Sequence, residues 1–230
     1  MSAARAVDKP LPQQERSGFP VAAGLSPLLP GGCLRPGSSV STGGDVPLLL
    51  ALAAEAVGEA GSWAVIGMPH LGVLAAESMG LDAGMGMFVD HPGRRWPEVV
   101  AALAEAVPVL LVGVCGPATG RTVQRLRVVL RRTGAVLLTA GAWEGADVRL
   151  AVTWARWEGV GVGHGLLRAR RVEVAAFGRG AAGGAPRTAR LWLPGPEGRA
   201  VALPETEPSA GSPADMATGR GPNAALRVVR

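Results

Sequence analysis

Apolar runs alternate with helix-like stretches along most of the chain, and that alternation predicts its elements in order. Residues 47–60, PLLLALAAEAVGEA, are mostly good helix formers and stop at Gly61, while residues 62–67, SWAVIG, form a short run bounded by glycine. A helix followed by a strand is expected. The same cadence predicts a helix over 71–79 closed by Gly80, a strand over 85–89, and a helix over 96–107 with Pro97 in its first turn. Residues 108–114, PVLLVGV, are uninterruptedly apolar, which suits a central parallel strand covered on both faces. A helix is expected over 119–133, with Val123, Leu126, Val129 and Leu130 at core spacing, then a buried strand over 135–139. Beyond Gly141 the pattern changes. Strands are expected over 147–157, 166–177 and 188–193, with clear alternation in RVEVAAF and RTARLWL and a hairpin loop over 178–186. Together these elements predict an α/β fold with a mixed, mainly parallel sheet flanked by helices and a C-terminal antiparallel hairpin.

Composition limits the remaining choices. At 48% hydrophobic and 18% charged, with mean hydropathy +0.25, the 230 residues suffice for one domain with a sizeable core. Glycine and proline concentrate near the ends and at junctions, so residues 1–19 and 204–230 are read as flexible tails around a domain over 20–203. The final segment, 224–230 (AALRVVR), is a candidate docking element, with Leu226, Val228 and Val229 as its apolar contacts. The longest apolar runs are roughly ten residues, short of a membrane span, and the first residues lack a secretory apolar core. A cytoplasmic protein without membrane contact is expected. Cys33 and Cys115 are too few for a disulfide framework or a zinc site, and buried reduced thiols are the simplest expectation.

The formal net charge is +5, and every basic residue except Lys9 is arginine. Two clusters stand out. Arg121, Arg125, Arg127, Arg131 and Arg132 occur with no acid between them, and Arg168, Arg170, Arg171, Arg179, Arg187 and Arg190 share their stretch with Glu173 alone. Such clusters fit a polyanion or an acidic protein surface, and equally a solvated helix face. Arg121, Arg125, Arg127, Arg131, Arg132, Arg168, Arg170 and Arg171 are therefore the candidate partner or DNA surface.

Candidate chemistry centres on PGSSVSTGGDVP, residues 36–47, a Gly-rich turn before a helix, where backbone N–H groups and the helix dipole would cradle phosphate. The required side chains are missing. A working loop needs a lysine for the β and γ phosphates and an adjacent Ser or Thr for magnesium, yet the only lysine is Lys9. Ser41, Thr42, Gly43, Gly44 and Asp45 thus form a degenerate phosphate loop. Asp45 would repel phosphate and is better read as a helix N-cap, and Pro47 removes a donor. Ser38, Ser39 and Ser41 are assigned to the loop, with no nucleophile elbow around them. His70, His91 and His164 lack a metal-ligand spacing. Trp154, Trp157 and Trp192 fit core positions better than exposed ones, although stacking on bases or anchoring a partner is the alternative.

The order of these blocks resembles the core of the RecA superfamily. GGCLRPGSSVSTGG followed by LLLALAAEA is similar to the start of a RecA-type ATPase, and residues 68–92 resemble the stretch that begins with its Ala-Glu-His triplet. Met68, Pro69 and His70 occupy that triplet, so Pro69 stands where the water-activating glutamate would be. The strand over 109–114 continues into Gly113, Val114 and Cys115 without the Walker B aspartate, and RARRVEVAAFGRGAAGGAPRTARLWLPG resembles the late hairpin. The LALAAEA helix, the RWPEVVAAL segment and the ARW then GHGLLRARR run place the resemblance in the ImuA-like branch, of actinobacterial type.

That resemblance implies a RecA-like pseudo-ATPase without cofactor. It further implies an accessory protein of a damage-inducible mutagenesis complex, working with an inactive Y-family polymerase homologue of ImuB type and, indirectly, an error-prone C-family polymerase. The short connections over 114–119 and 140–147 replace the two DNA-binding loops of RecA, and residues 1–19 lack its linking helix, so filament formation is not expected. Two other classes stay open: a SulA-like cell-division inhibitor, and a nucleotide-binding protein with an atypical loop in which Arg35 or a partner's residue substitutes for lysine.

Overall fold

Among the described residues nine strands form one sheet in the order β3-β2-β4-β5-β1-β6-β7-β8-β9. The computed structural model describes residues 18–58, 61–160, 165–178 and 187–203. Strands β1 (Ser39–Ser41), β2 (Trp63–Ile66), β3 (Gly86–Val89), β4 (Val109–Val112) and β5 (Val136–Thr139) are mutually parallel, and β6 (Val148–Val160) continues parallel beside β1. From there the sheet turns antiparallel through β7 (Gly165–Gly178), β8 (Arg187–Trp192) and β9 (Val201–Ala202). The expected α/β arrangement of a mixed, mainly parallel sheet with a C-terminal antiparallel hairpin is the one observed. The hairpin loop expected over 178–186 falls, beyond Gly178, outside the described residues, as do the docking segment 224–230 and His164.

Among the described residues four α-helices cover the sheet: α1 (Val46–Val57), α2 (Val73–Met79), α3 (Trp96–Leu103) and α4 (Gly120–Thr133). Alternation along the central strands explains the two layers. Trp63, Val65, Val109, Leu111, Val136 and Leu138 face one core with α1 and α2, while Ala64, Ile66, Leu110, Val112 and Leu137 face the other with α3 and α4. Apart from exposed Glu55, helix α1 is apolar, and it is buried at Leu48, Leu49, Leu50 and Leu52. A helix of that kind must be enclosed, here between the sheet and the N-terminal segment that contributes Leu25, Leu28 and Leu34. Each such leucine contributes about 1.5–3 kcal/mol by its burial. Helix α4 instead buries one stripe, Val123, Leu126 and Leu130, and leaves its arginines on the remaining surface.

Three sequence expectations need correction. Ser39 and Ser41 are not loop residues: they lie in central strand β1 and are almost fully buried. Ser39 Oγ donates to the carbonyl of Gly145 and to Asp147, and Ser41 Oγ donates to the carbonyl of Gly141, so their hydroxyls satisfy irregular backbone beside the sheet. Trp154 is exposed, and Trp157 and Trp192 are half-buried against arginine, whereas the buried tryptophans are Trp63, Trp96 and Trp143. Cys33 and Cys115 are free thiols, but each is half-buried and not enclosed.

Candidate functional site

The Gly-rich turn sits between β1 and α1, at the carboxyl end of the central strand, where open α/β sheets bind ligands. Three of its backbone donors are already engaged. Thr42 N–H donates to the carbonyl of Thr139 at 3.0 Å, Gly44 N–H to that of Ala140, and Asp45 N–H to that of Thr42 at 3.2 Å. Gly43 and Gly44 both have positive φ, 63° and 99°, so the turn requires glycine for its shape. Asp45 caps α1 as expected: its carboxylate accepts from Leu48 N–H at 2.9 Å.

The second carboxylate oxygen of Asp45 pairs with Arg170 on β7. Both side chains are largely enclosed, at 15% and 11% exposure. Arg170 also lies over the ring of Trp157, 5.7 Å from its centroid, and its Nε is buried without a hydrogen-bond partner. A carboxylate, a guanidinium and an indole thus fill the end of α1. The positive helix terminus is neutralised from within the chain.

The end of β4 is equally closed to a metal-binding acid. Gly113 follows the strand, and a Cβ there would lie 2.2 Å from the carbonyl oxygen of Gly67. No side chain fits at that position without moving backbone. Across from it, Gly67 has φ of 69° and a Cβ would meet Cys115 Sγ at 2.3 Å. Cys115 Sγ donates to the carbonyl of Ile66, and burial pushes its thiol pKa up. Among the described residues no group of three or more His, Cys, Asp or Glu converges in a way that would hold a metal ion.

Beyond these strand ends lies a cavity of about 420 Å³, between the 113–119 and 140–147 connections. Trp96, Val112, Cys115, Thr139, Trp143 and Glu144 line it, and Trp96 and Trp143 meet edge to face at 6.1 Å. Sequence reasoning missed this cleft, although two short loops after adjacent parallel strands are the signal that marks it.

The arginine clusters are less free than their spacing implies. On α4, Arg125 pairs with Glu98 at 3.3 Å, Arg132 with Glu105 at 2.5 Å, and Arg127 with Asp147 at 3.4 Å. Arg121 and Arg131 are exposed and have no ion pair among the described residues. Residues 125 and 132, two turns apart, point to α3 and the turn that follows it, whereas Arg127 reaches Asp147 just before β6. On the hairpin, Arg168 is exposed, Arg170 is committed to Asp45, and Arg171 pairs with Glu158 at 2.8 Å while lying over Trp192 at 4.6 Å. The structure therefore divides the candidate surface between two opposite faces of β7 and several flanks of α4.

Comparison with known proteins places this arrangement. The profile of the MT3502 N-terminal domain family matches residues 27–145, which hold β1 to β5 and all four α-helices. The uncharacterized protein Rv3395c of Mycobacterium tuberculosis is 35% identical over 130 residues, covering 54% of this chain and 63% of that protein. The matched part thus spans less than two thirds of that relative's length. With more than half of its residues matched by the profile, the chain belongs to the MT3502 N-terminal domain family.

Proposed function

We propose that this chain is a non-catalytic accessory protein of a damage-inducible translesion DNA synthesis complex, the role its resemblance to ImuA-like proteins implies. Its partner is an inactive Y-family polymerase homologue, which connects it to an error-prone C-family polymerase. The observation that carries the proposal is the Asp45–Arg170 pair over the start of α1. A nucleotide phosphate at that terminus would meet a buried carboxylate in place of donors, and no lysine is near in sequence to offset it. The closed position at Gly113 supports the same reading, because the acid that would hold magnesium has no room there.

A RecA-like core that binds no nucleotide acts through its surfaces. The test is a parallel measurement on the full chain: binding of a labelled ATP analogue with magnesium, and capture of the polymerase-like partner. Expected are no saturable nucleotide binding and retention of the partner, with capture weakened when Leu226, Val228 and Val229 are changed to Asp. Saturable ATP binding would overturn the non-catalytic reading, and a partner that passes through uncaptured would overturn the accessory role.

A further inference from the structure

The antiparallel half of the sheet has one covered face and one open face. Val148, Leu150, Val152, Val172, Val174 and Leu191 point into the core beneath α1 and the N-terminal segment. The register places the opposite set together: Arg149 across from Phe177, Ala151 across from Ala175, Trp154 across from Glu173, and Arg156 across from Arg171. β8 extends these rows with Thr188, Arg190 and Trp192. A bulge at Thr153 keeps Trp154 and Arg156 on this side, since Val152 pairs with Val174 and Trp154 with Glu173. Helices α3 and α4 cover β2, β4 and β5, and no helix among the described residues lies along this face.

What the face displays is chemically narrow. Between its ends it carries rings, arginines, small residues and two glutamates, with no branched aliphatic side chain from Arg149 to Glu158 or from Ala169 to Phe177. Trp154 and Phe177 are 43% and 47% exposed, large values for rings of that size. They stand four register steps apart, about 13 Å along the strands, with the small side chains of Ala151 and buried Ala175 between them. Glu158 and Glu173 are each paired, with Arg171 and Arg190. Arg149 and Arg156 are exposed and have no ion pair or hydrogen bond among the described residues. At the edge of the face runs α4, where Arg127 contacts Asp147 and Arg131 follows one turn later on the same flank.

We infer that this open face of β6, β7 and β8 binds single-stranded nucleic acid, with Trp154 and Phe177 stacking on bases and Arg149, Arg156 and Arg131 meeting phosphates. Rings that stack without regard to sequence, set among uncompensated cations on an open sheet face, are what an unpaired strand requires. Both glutamates of the face are already paired while, among the described residues, Arg149 and Arg156 are not, so its uncompensated charge is cationic and complements a phosphate backbone. Apart from Arg131, the residues of this site lie outside those matched by the family profile. The inference does not rest on the accessory-complex proposal, since it concerns the isolated chain and the latter concerns capture of a polymerase homologue.

The test is fluorescence anisotropy with the full chain and labelled oligothymidylate, oligouridylate and a mixed-sequence duplex at about 50 mM salt. Both single strands should bind, the duplex more weakly. Trp154→Ala and Phe177→Ala should each weaken single-strand binding roughly five- to hundredfold. Trp154→Phe should restore most of it, which a merely misfolded variant would not explain. Arg149→Ala and Arg156→Ala should each flatten the slope of log affinity against log salt by about 0.7. Absence of single-strand binding, a preference for duplex, or affinity unchanged by both ring substitutions would each overturn the inference. Loss of polymerase-homologue capture in Trp154→Ala and Phe177→Ala, with oligonucleotide binding intact, would assign the face to protein instead.

Discussion

Asp45 holds two structural duties at once. It accepts from Leu48 N–H as the cap of α1 and balances the enclosed charge of Arg170. Asp45→Ala removes a cap worth about 1 kcal/mol and strands a buried guanidinium, for which losses run to about 3–5 kcal/mol. Urea unfolding of this variant should therefore show a loss of several kcal/mol. Replacing both partners, Asp45→Asn with Arg170→Met, should recover most of that loss, because the uncompensated charge is gone. Cys115 gives a second residue-scale prediction. Burial raises its thiol pKa, so the folded chain keeps a proton that the unfolded chain gives up within the ordinary thiol range. The stability this group contributes is fully present below the unfolded-state pKa and declines as pH rises through the raised folded value. Urea midpoints should fall with alkalinity more steeply for the natural chain than for Cys115→Ala. In the same range, alkylation of Cys115 by iodoacetamide should be slower in the folded than in the unfolded protein.

At the scale of elements, packing outweighs charge on α4. Its pairs with α3 and the turn after it, Arg125 with Glu98 and Arg132 with Glu105, are between residues about half exposed or more, where such bridges contribute about 0–1 kcal/mol. Leu126 is buried to 1% exposure between α4 and the sheet. Arg125→Ala and Arg132→Ala should each change the free energy of unfolding by less than about 1 kcal/mol, whereas Leu126→Ala should cost about 2–5 kcal/mol. Element by element, the strong hydrophobic periods were legible. The run PVLLVGV became β4, and the 123, 126, 130 spacing became the buried stripe of α4. Less legible was β1, because its sequence, Ser39, Val40 and Ser41, has only one apolar side chain to announce a buried central strand. The two serines tolerate burial through hydrogen bonds to the 141–147 connection, a long-range fact that no local pattern carries. The helix over 96–107 ends at Leu103, since the chain must turn to bring Ala104 and Val107 back onto the sheet. The Asp45 cap was visible from its place before Pro47, but its pairing with Arg170 joins residues 125 positions apart. The open face was hidden for a related reason: the bulge at Thr153 shifts the alternation on β6, so period-two counting misplaces Trp154.

Across the whole molecule the sheet is supported unevenly. β2, β4 and β5 lie between two helical layers, while the far ends of β6 and β7 extend past β1 and β8 as a two-stranded ribbon with exposed Leu166 and Leu167. Amide exchange should follow that gradient, slowest in Val109–Val112 and Val136–Thr139 and fastest near Val160 and Gly165. Mass-spectrometric hydrogen exchange on the full chain checks it, and uniform protection along β6 would contradict it. The enclosed pair at the start of α1 also constrains descent. Losing Asp45 alone strands a cation, losing Arg170 alone leaves a carboxylate facing any incoming anion, and Gly113 admits no acid without a shift at Gly67. Lineages that carry this pair face a fitness valley on every single-step path to phosphate chemistry at that terminus, so natural variation should accumulate on the molecule's outer faces.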